Sequence, residues 1–339
     1  MRIFVTGGTG FIGTHLMKRL AQTDHELVGL ARPTSDVGPL REAGATVVTG
    51  DVTDKESLLQ GMEGSDWLVH LASSFVFWVP DRQVYKDVNI IGTRNVMEAA
   101  LQTGVSKVVH VSTAAVYGNA EWPITENTSV GPVNPSEYGR TKHAGDLIAW
   151  QLYEEKGLPL VVLYPGAVVG ANDPKAAGRY VKNFALGRMP GQVVTGSMFP
   201  WVHVRDVGEG IIRALEKADN IGERYLLTAE NITFGDINKM ISQISGVRLP
   251  LLVFPDFMTL LSARLLTKLA DLIKRPPLLD MSTDQIGLMR QGAMVDGSKA
   301  KRELGLTYTP IRVALEEAIA SFRAARASES PEHAPAYAE

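Results

Sequence analysis

A short apolar strand, RIFVT, breaks at residue 7 into GGTG, and a helical pattern, FIGTHLMKRLAQ, begins at once. Gly7, Gly10 and Gly13 stand three apart. A tight turn needs a residue without Cβ, as does close approach of backbone to a pyrophosphate, and a third small residue lets the helix pack on the sheet. The free N–H groups of the helix start then face the phosphates. A glycine triplet alone is weak, but its place directly between strand and helix is the context that gives it meaning. It predicts a dinucleotide site contacted by Gly7, Thr9, Gly10, Phe11, Ile12 and Gly13, the alternative being a purely structural turn.

Apolar runs and helical patterns then alternate: HELVGLAR, ATVVTGD, DWLVHLA, KVVHVST and LPLVVLYPG read as strands, and VNIIGTRNVMEAALQTG and residues 136–156 as helices. Strands that are apolar throughout, separated by helices, imply a parallel sheet covered on both faces. The expected fold class is therefore α/β, a doubly wound parallel sheet over residues 1–170, with segments near 200–230 returning to it. Residues 171–326 read as a smaller, mostly helical lobe, with helices at 206–218, 234–245, 257–274 and 310–326 and loops around GANDPKAAG and GRMPGQVVTGSMFP. The Pro-, Ala- and Glu-rich stretch 327–339 reads as a disordered tail.

The end of the second strand should carry an acid if it holds an adenosine ribose 2′-hydroxyl. It carries Ala31 and then Arg32. An arginine can instead pair with a 2′-phosphate, which favours NADP, with NAD the alternative and a merely solvated Arg32 the bland reading. In GDVTD, Asp51 is placed to accept from the adenine amino group with Val52 on the ring; alternatively Asp51, or equally Asp54, caps the next helix.

In YGRTK, Tyr138 precedes Lys142 by four residues, so both lie on one helix face. A tyrosine working as acid or base near neutrality needs its pKa lowered by about three units, or about 4 kcal/mol. An adjacent ammonium and a positively charged nicotinamide can supply that. Thr113, at the end of the fifth strand, offers a hydroxyl to the substrate oxygen, with Ser112 the competing choice.

TGGTGFIG, GDVTD, HLAS, NIIGTRN, STAAVYG, YGRTK, LYPGAVVG and WVHVRDV occur in the order found in the extended short-chain dehydrogenase/reductase, or NAD-dependent epimerase/dehydratase, family, which the chain resembles from residue 1 to about 325. The resemblance implies a Rossmann domain with a C-terminal substrate lobe. It assigns acid/base work to Tyr138, the nicotinamide ribose to Lys142 and the partner hydroxyl to Thr113. It extends the cofactor contacts to Leu71, Ala72, Ser73, Asn89, Tyr164, Pro165, Gly166 and Val168, with Asn89 structural or in the proton path. The family usually has arginine where this chain has Tyr164. It also implies a homodimer through the helices near 89–103 and 138–156.

Within that family, sugar-nucleotide 4,6-dehydratases carry an Asp–Glu pair after the threonine; here Ala114 and Ala115 follow Thr113, which disfavours dehydration. Two readings remain: a reversible carbonyl reductase or secondary-alcohol dehydrogenase, resembling dihydroflavonol reductases and hopanoid-associated epimerase-like proteins, and a (nucleotide-)sugar epimerase. A third class is an NADP-binding sensor without turnover, although such relatives typically lack the Tyr–Lys pair. Phe75, Phe77, Trp78, Met198, Phe199 and Trp201 are expected to line an apolar substrate pocket, unless they are ordinary core. A sugar diphosphate would need cations, for which Arg179, Arg205 and Arg224 are available.

Composition narrows the rest. A net charge of −3 argues against nucleic-acid partners. The absence of cysteine rules out cysteine chemistry and fits a reducing, cytoplasmic setting. The seven histidines show no pair at metal-ligand spacing, so no metal is expected. His203 and Asp206 read as packing and hydrogen bonding at a helix start rather than catalysis. No segment is apolar enough to span a bilayer. FMTLLSARLLTKLADLIK, 257–274, is broken by Arg264, Lys268 and Asp271; it reads as an amphipathic helix packing on the core or covering a pocket, a membrane-surface helix being the alternative.

Overall fold

The computed structural model describes residues 1–328. Strands β1 (Arg2–Thr6), β2 (Glu26–Ala31), β3 (Thr46–Thr49), β4 (Trp67–His70), β5 (Lys107–Val111), β6 (Leu160–Pro165) and a later strand, Arg224–Leu227, form one seven-stranded sheet. Between β6 and that strand lie β7 (Ala167–Val169) and β8 (Met198–His203), which makes Arg224–Leu227 β9; β10 (Glu230–Thr233) follows. The large sheet has the order β3-β2-β1-β4-β5-β6-β9 and every neighbouring pair is parallel. This is the Rossmann doubly wound sheet, with the strand order reversing between β1 and β4, where such folds open a crevice at the strands' carboxyl ends.

Both faces of the sheet are covered, as its unbroken apolar strands require. On one face Leu16, Met17 and Leu20 of the Phe11–Leu20 helix pack with Val207, Ile211 and Ile212 of the Val204–Glu216 helix. On the other, Val96, Met97 and Ala100 of the Thr93–Thr103 helix pack with Leu58 and Met62. A third core lies under a small sheet of order β10-β8-β7, where Phe184, Ile237 and Leu315 meet.

Helices Phe234–Ser245, Asp256–Ile273 and Ile311–Ser328 form the C-terminal region. Ala327 and Ser328 belong to the last helix rather than to the expected tail, and residues 329–339 lie outside the described residues. The sequence reading missed the helices Ala176–Ala185 and Thr283–Gln291 and the small sheet. A three-residue strand such as β7 is too short for a period to register, and the Ala176–Ala185 helix is specified by burial of Val181 and Phe184 in the third core.

Candidate active site

One cavity of about 570 Å³ opens over the carboxyl ends of β1, β4, β5 and β6 and extends under the C-terminal helices. Its floor begins at the glycine turn. Gly7 has φ +75°, and a Cβ there would stand 2.6 Å from the backbone nitrogen of Ala72. A Cβ on Gly13 would come 2.2 Å from the Gly7 carbonyl oxygen, whereas one on Gly10 meets only that oxygen, at 3.2 Å. The Phe11–Leu20 helix has Gly10 as its N-cap and no side-chain cap. Its first N–H groups therefore face the cavity uncovered by the chain's own side chains, which suits a dinucleotide pyrophosphate. Gly13→Ala is expected to weaken NADPH binding by about 100-fold or more, because its Cβ would stand 2.2 Å from one backbone atom and under 3 Å from two others, while Gly10→Ala, with one contact at 3.2 Å, has the milder effect. Titration of nucleotide fluorescence on both variants checks the contrast.

Of the residues expected to contact the cofactor, Thr9, Phe11, Ile12, Arg32, Asp51, Val52, Leu71, Ala72, Ser73, Pro165, Gly166 and Val168 all line the cavity. Asp54, not Asp51, caps the next helix, accepting from Glu56 N–H; Asp51 instead closes a turn by accepting from the Thr53 N–H and hydroxyl. Lys175 is a cation the sequence reading missed, hidden in a segment read as loop. It lines the same cavity, and its ammonium is pushed below the usual lysine range chiefly by burial and then by Arg179, with Arg32 also close enough to act on it.

Tyr138 and Lys142 come from the Glu137–Lys156 helix, which Ser136 caps by accepting from Gly139 N–H at 3.0 Å. Both are buried, with Tyr138 7% exposed. The Tyr138 ring meets Phe75 edge-on at 4.9 Å and Phe77 at 6.3 Å. Burial pushes its phenol well above the ordinary value near 10, while side-chain hydrogen bonds with Thr113 and Ser73 pull it partly back. The lowering expected from the Tyr–Lys pairing is therefore not produced by the protein's own groups: Lys142 points its Nζ past the ring to donate to the Val111 carbonyl at 3.1 Å.

Thr113 and Ser112 are told apart by their partners. Ser112 also lines the cavity, but its Oγ donates its proton to Asp146 Oδ2 at 2.7 Å. Thr113 Oγ1 accepts from Ala115 N–H at 3.2 Å and bonds Tyr138 on the cavity wall, so its hydroxyl sits beside the phenol. Beneath them lies a buried polar network that the sequence did not reveal. Asp146 also bonds His110 Nε2 at 3.0 Å, His110 stacks on His70 at 5.1 Å, and His70 bonds Thr6 Oγ1 at 2.7 Å. Burial holds both imidazoles below their usual range. It also lowers the Lys142 ammonium, with Asp146 opposing.

Four predicted site residues do not line the cavity. Asn89, 1% exposed, bonds Ser73 Oγ, Ser74 N–H and Thr141 Oγ1, clamping the loop after β4 to the Glu137–Lys156 helix; its role is positioning. Tyr164 turns to the opposite sheet face, packs on Tyr117 and accepts from Trp150 Nε1 at 3.3 Å, which explains why the family's usual arginine is not needed at that place for the fold. Met198 sits on the other face of β8 from Phe199 and Trp201, which do line the cavity, because strand side chains alternate. Trp78 turns outward and donates to Asp271 Oδ1 at 2.8 Å.

Nor do the three arginines weighed for a diphosphate. Arg179 pairs with Asp280 and Arg205 with Glu317, and Arg224 lies over the Trp150 ring at 4.2 Å. His203 caps the Val204–Glu216 helix and bonds Glu317, and Asp206 accepts from Thr309. Among the described residues no group of three or more acids and histidines is arranged to hold a metal. The wall away from the glycine turn is mainly apolar, Phe75, Phe77, Tyr180, Phe199, Trp201 and Met289, with Gln285 and Gln291 on the same helix as Met289.

Comparison with known proteins agrees with this geometry. The profile of the NAD dependent epimerase/dehydratase family matches residues 3–227. A Methylococcus capsulatus protein named sterol demethylase protein B is 34% identical over 331 residues, covering 95% of this chain and 98% of its own. A candidate dihydroflavonol 4-reductase of Synechocystis is 30% identical over 328 residues, covering 94% of each chain. The crystal structure of a Bacillus cereus UDP-glucuronic acid 4-epimerase, with UDP-glucuronic acid and NAD, superposes with a TM-score of 0.77 at 24% identity over 96% of this chain and 100% of the other, a likeness of fold.

Proposed function

Because the chain belongs to the NAD-dependent epimerase/dehydratase family, whose members are nicotinamide-dependent enzymes, we propose that it is a reversible carbonyl reductase acting on a bulky, apolar ketone or the matching secondary alcohol. The observation that carries this reading is the far wall of the cavity. It is built mainly from aromatic and aliphatic side chains, and the arginines that a nucleotide diphosphate would require are paired elsewhere. The cavity's cations are Arg32, Lys142 and Lys175. The Methylococcus relative's name ties that protein to a sterol, and a polycyclic apolar substrate of that kind suits this chamber. Gln285 Oε1, buried in the cavity wall without a partner among the described residues, is placed to accept from one hydroxyl of such a substrate.

The residues present fit a nicotinamide dinucleotide. Gly7, Gly10 and Gly13 leave backbone open for its pyrophosphate, and Asp51, Val52 and Lys142 line the same cavity, where this reading gives the first two the adenine and Lys142 the nicotinamide ribose. When bound, the reduced cofactor supplies a hydride to the carbonyl carbon. Thr113 holds the carbonyl oxygen by donating its hydroxyl proton, and Tyr138 Oη transfers its proton to that oxygen as the alcohol forms. Burial keeps the phenol protonated through the neutral range, which is the state reduction needs. Phe75 and Phe77 exclude water from the phenol.

We read the cofactor as NADP, with NAD the alternative, because Arg32 and Lys175 flank the cavity where an acidic residue would hold a ribose hydroxyl. Arg32→Gln is expected to weaken NADPH binding by about tenfold or more and leave NADH binding unchanged, since charge-assisted hydrogen bonds contribute ~1.5–3 kcal/mol. Equal loss for both nucleotides in a calorimetric titration removes the NADP assignment.

A panel of apolar ketones tests the main reading. A reductase consumes NADPH in proportion to alcohol formed. An epimerase interconverts its substrate without net consumption, and a sensor binds NADPH stoichiometrically with no oxidation of it. We place the protein in the cytoplasm as a homodimer through the Thr93–Thr103 and Glu137–Lys156 helices, whose outer side exposes Leu147 and, just before the first, Ile91.

A further inference from the structure

The Asp256–Ile273 helix packs the wrong way round for a core helix. Its buried positions are small: Thr259, Ala263, Thr267 and Ala270. Its large side chains face outward. Phe257, Met258, Leu261, Leu265, Leu269 and Leu272 are all at least 45% exposed, Leu272 reaching 80%. At ~3.6 residues per turn these six fall within roughly 120° of arc, a continuous stripe. Just before the helix Leu251, Leu252 and Val253 are exposed as well. An apolar surface of this extent marks an interaction site.

The charges around the stripe say what covers it. Arg264 and Lys268 lie along one margin, and Lys274 and Arg275 follow its C-terminal end, all exposed. None of the four forms a salt bridge among the described residues. The two acids of the helix are engaged: Asp256 with Arg290 at 3.2 Å, and Asp271 with Trp78 and Arg82. The uncompensated charge of the helix and its C-terminal end is thus positive. A second copy docking by two-fold symmetry would bring the same cations toward each other. No helix of the described residues is long and apolar enough to cross a membrane.

We propose that this helix is a membrane-docking surface, lying in the plane of an anionic bilayer with its stripe among the acyl chains and its four cations on the headgroup phosphates. The helix is also tied to two segments that contribute to the cavity wall. Asp271 is bonded to Trp78, beside the wall residues Phe75 and Phe77, and Thr267 accepts from the Thr283 N–H at 2.9 Å, at the start of the helix that contributes Leu288 and Met289 to the cavity. This surface goes beyond the catalytic reading and its test needs no turnover.

The experiment is flotation of the full chain with vesicles of phosphatidylglycerol and phosphatidylcholine, against phosphatidylcholine alone, at low and high salt. The expected result is binding to the anionic vesicles that weakens with salt. Leu261→Glu/Leu265→Glu should lower partitioning by more than about tenfold. Arg264→Gln/Lys268→Gln should lower it by roughly tenfold on anionic vesicles only. All these side chains are exposed, and circular dichroism and NADPH binding confirm that each variant is folded; if the glutamate pair does not fold, the glutamine pair carries the test. Wild-type protein that stays in solution with both vesicles at low salt overturns the proposal. So does partitioning unchanged in the variants, and so does a dimer in sedimentation velocity that Leu261→Glu/Leu265→Glu splits, which would give the face to a second copy.

Discussion

Tyr138→Phe is expected to cut kcat for carbonyl reduction by about 10²–10⁴-fold, the usual contribution of a positioned acid, with NADPH affinity unchanged. The substitution removes one oxygen and keeps the ring. The edge-on contacts to Phe75 and Phe77 remain, so the wall of the cavity keeps its shape. The proton donor is lost, and Thr113, held by its bond from Ala115 N–H, cannot take its place without leaving the substrate oxygen. The wild-type enzyme supplies the matching pH test. The phenol is raised by burial, so reduction should be level through the neutral range and decline only as alkaline pH deprotonates it. Stopped-flow turnover of a reactive ketone measures both. A Tyr138→Phe enzyme that keeps a tenth or more of its rate would mean that the proton comes from another group.

Asp146→Leu should destabilise the protein by ~3–5 kcal/mol, the cost of leaving a buried charge without its partner. Asp146 accepts from Ser112 and bonds His110, and it is the counter-charge that opposes the desolvation of Lys142. Leucine fills the space but leaves the Ser112 hydroxyl and the His110 imidazole without their acceptor, and leaves the Lys142 ammonium, still bonded to the Val111 carbonyl, without its counter-charge. Asp146→Asn, which retains an acceptor oxygen, should lose less. Adding Lys142→Met to Asp146→Leu should recover part of the loss, since the uncompensated charge then goes too, while activity stays absent. Urea denaturation of wild type, Asp146→Leu, Lys142→Met and the double variant gives the coupling. If the double variant is no more stable than Asp146→Leu, the two side chains are not held as a pair.

The glycine turn, Arg32, the loop after β4, Thr113 and the Tyr–Lys pair were legible because each is local. A strand followed by Gly7 and a helix needs no distant partner to be recognised, and a spacing of four on a helix puts two side chains on one face whatever surrounds them. Asn89 serves the structural alternative read for it, whereas Tyr164, Trp78 and Met198 were expected to face the cavity and do not. Where a side chain turns depends on which face of a strand or loop the core claims: Met198 and Phe199 are neighbours in β8, yet only Phe199 faces the cavity. Lys175 and Gln285 were missed because their segments read as loop or stay unassigned in the sequence and become ordered only against elements far along the chain.

The amino-acid order alone specified a parallel α/β sheet with a dinucleotide turn and a hydroxyl–phenol–ammonium set at its carboxyl edge, since backbone sterics and helix spacing act over a few residues. Folding in three dimensions settled what no local rule reaches. It tied Asp146 through His110 toward His70 beneath the site, engaged Ser112 with Asp146 and set Thr113 beside the phenol. It also set the Asp256–Ile273 helix down on its small residues with its leucines outward. Periodicity shows that a helix has two faces; which of them is buried is decided by the shape of the surface it meets.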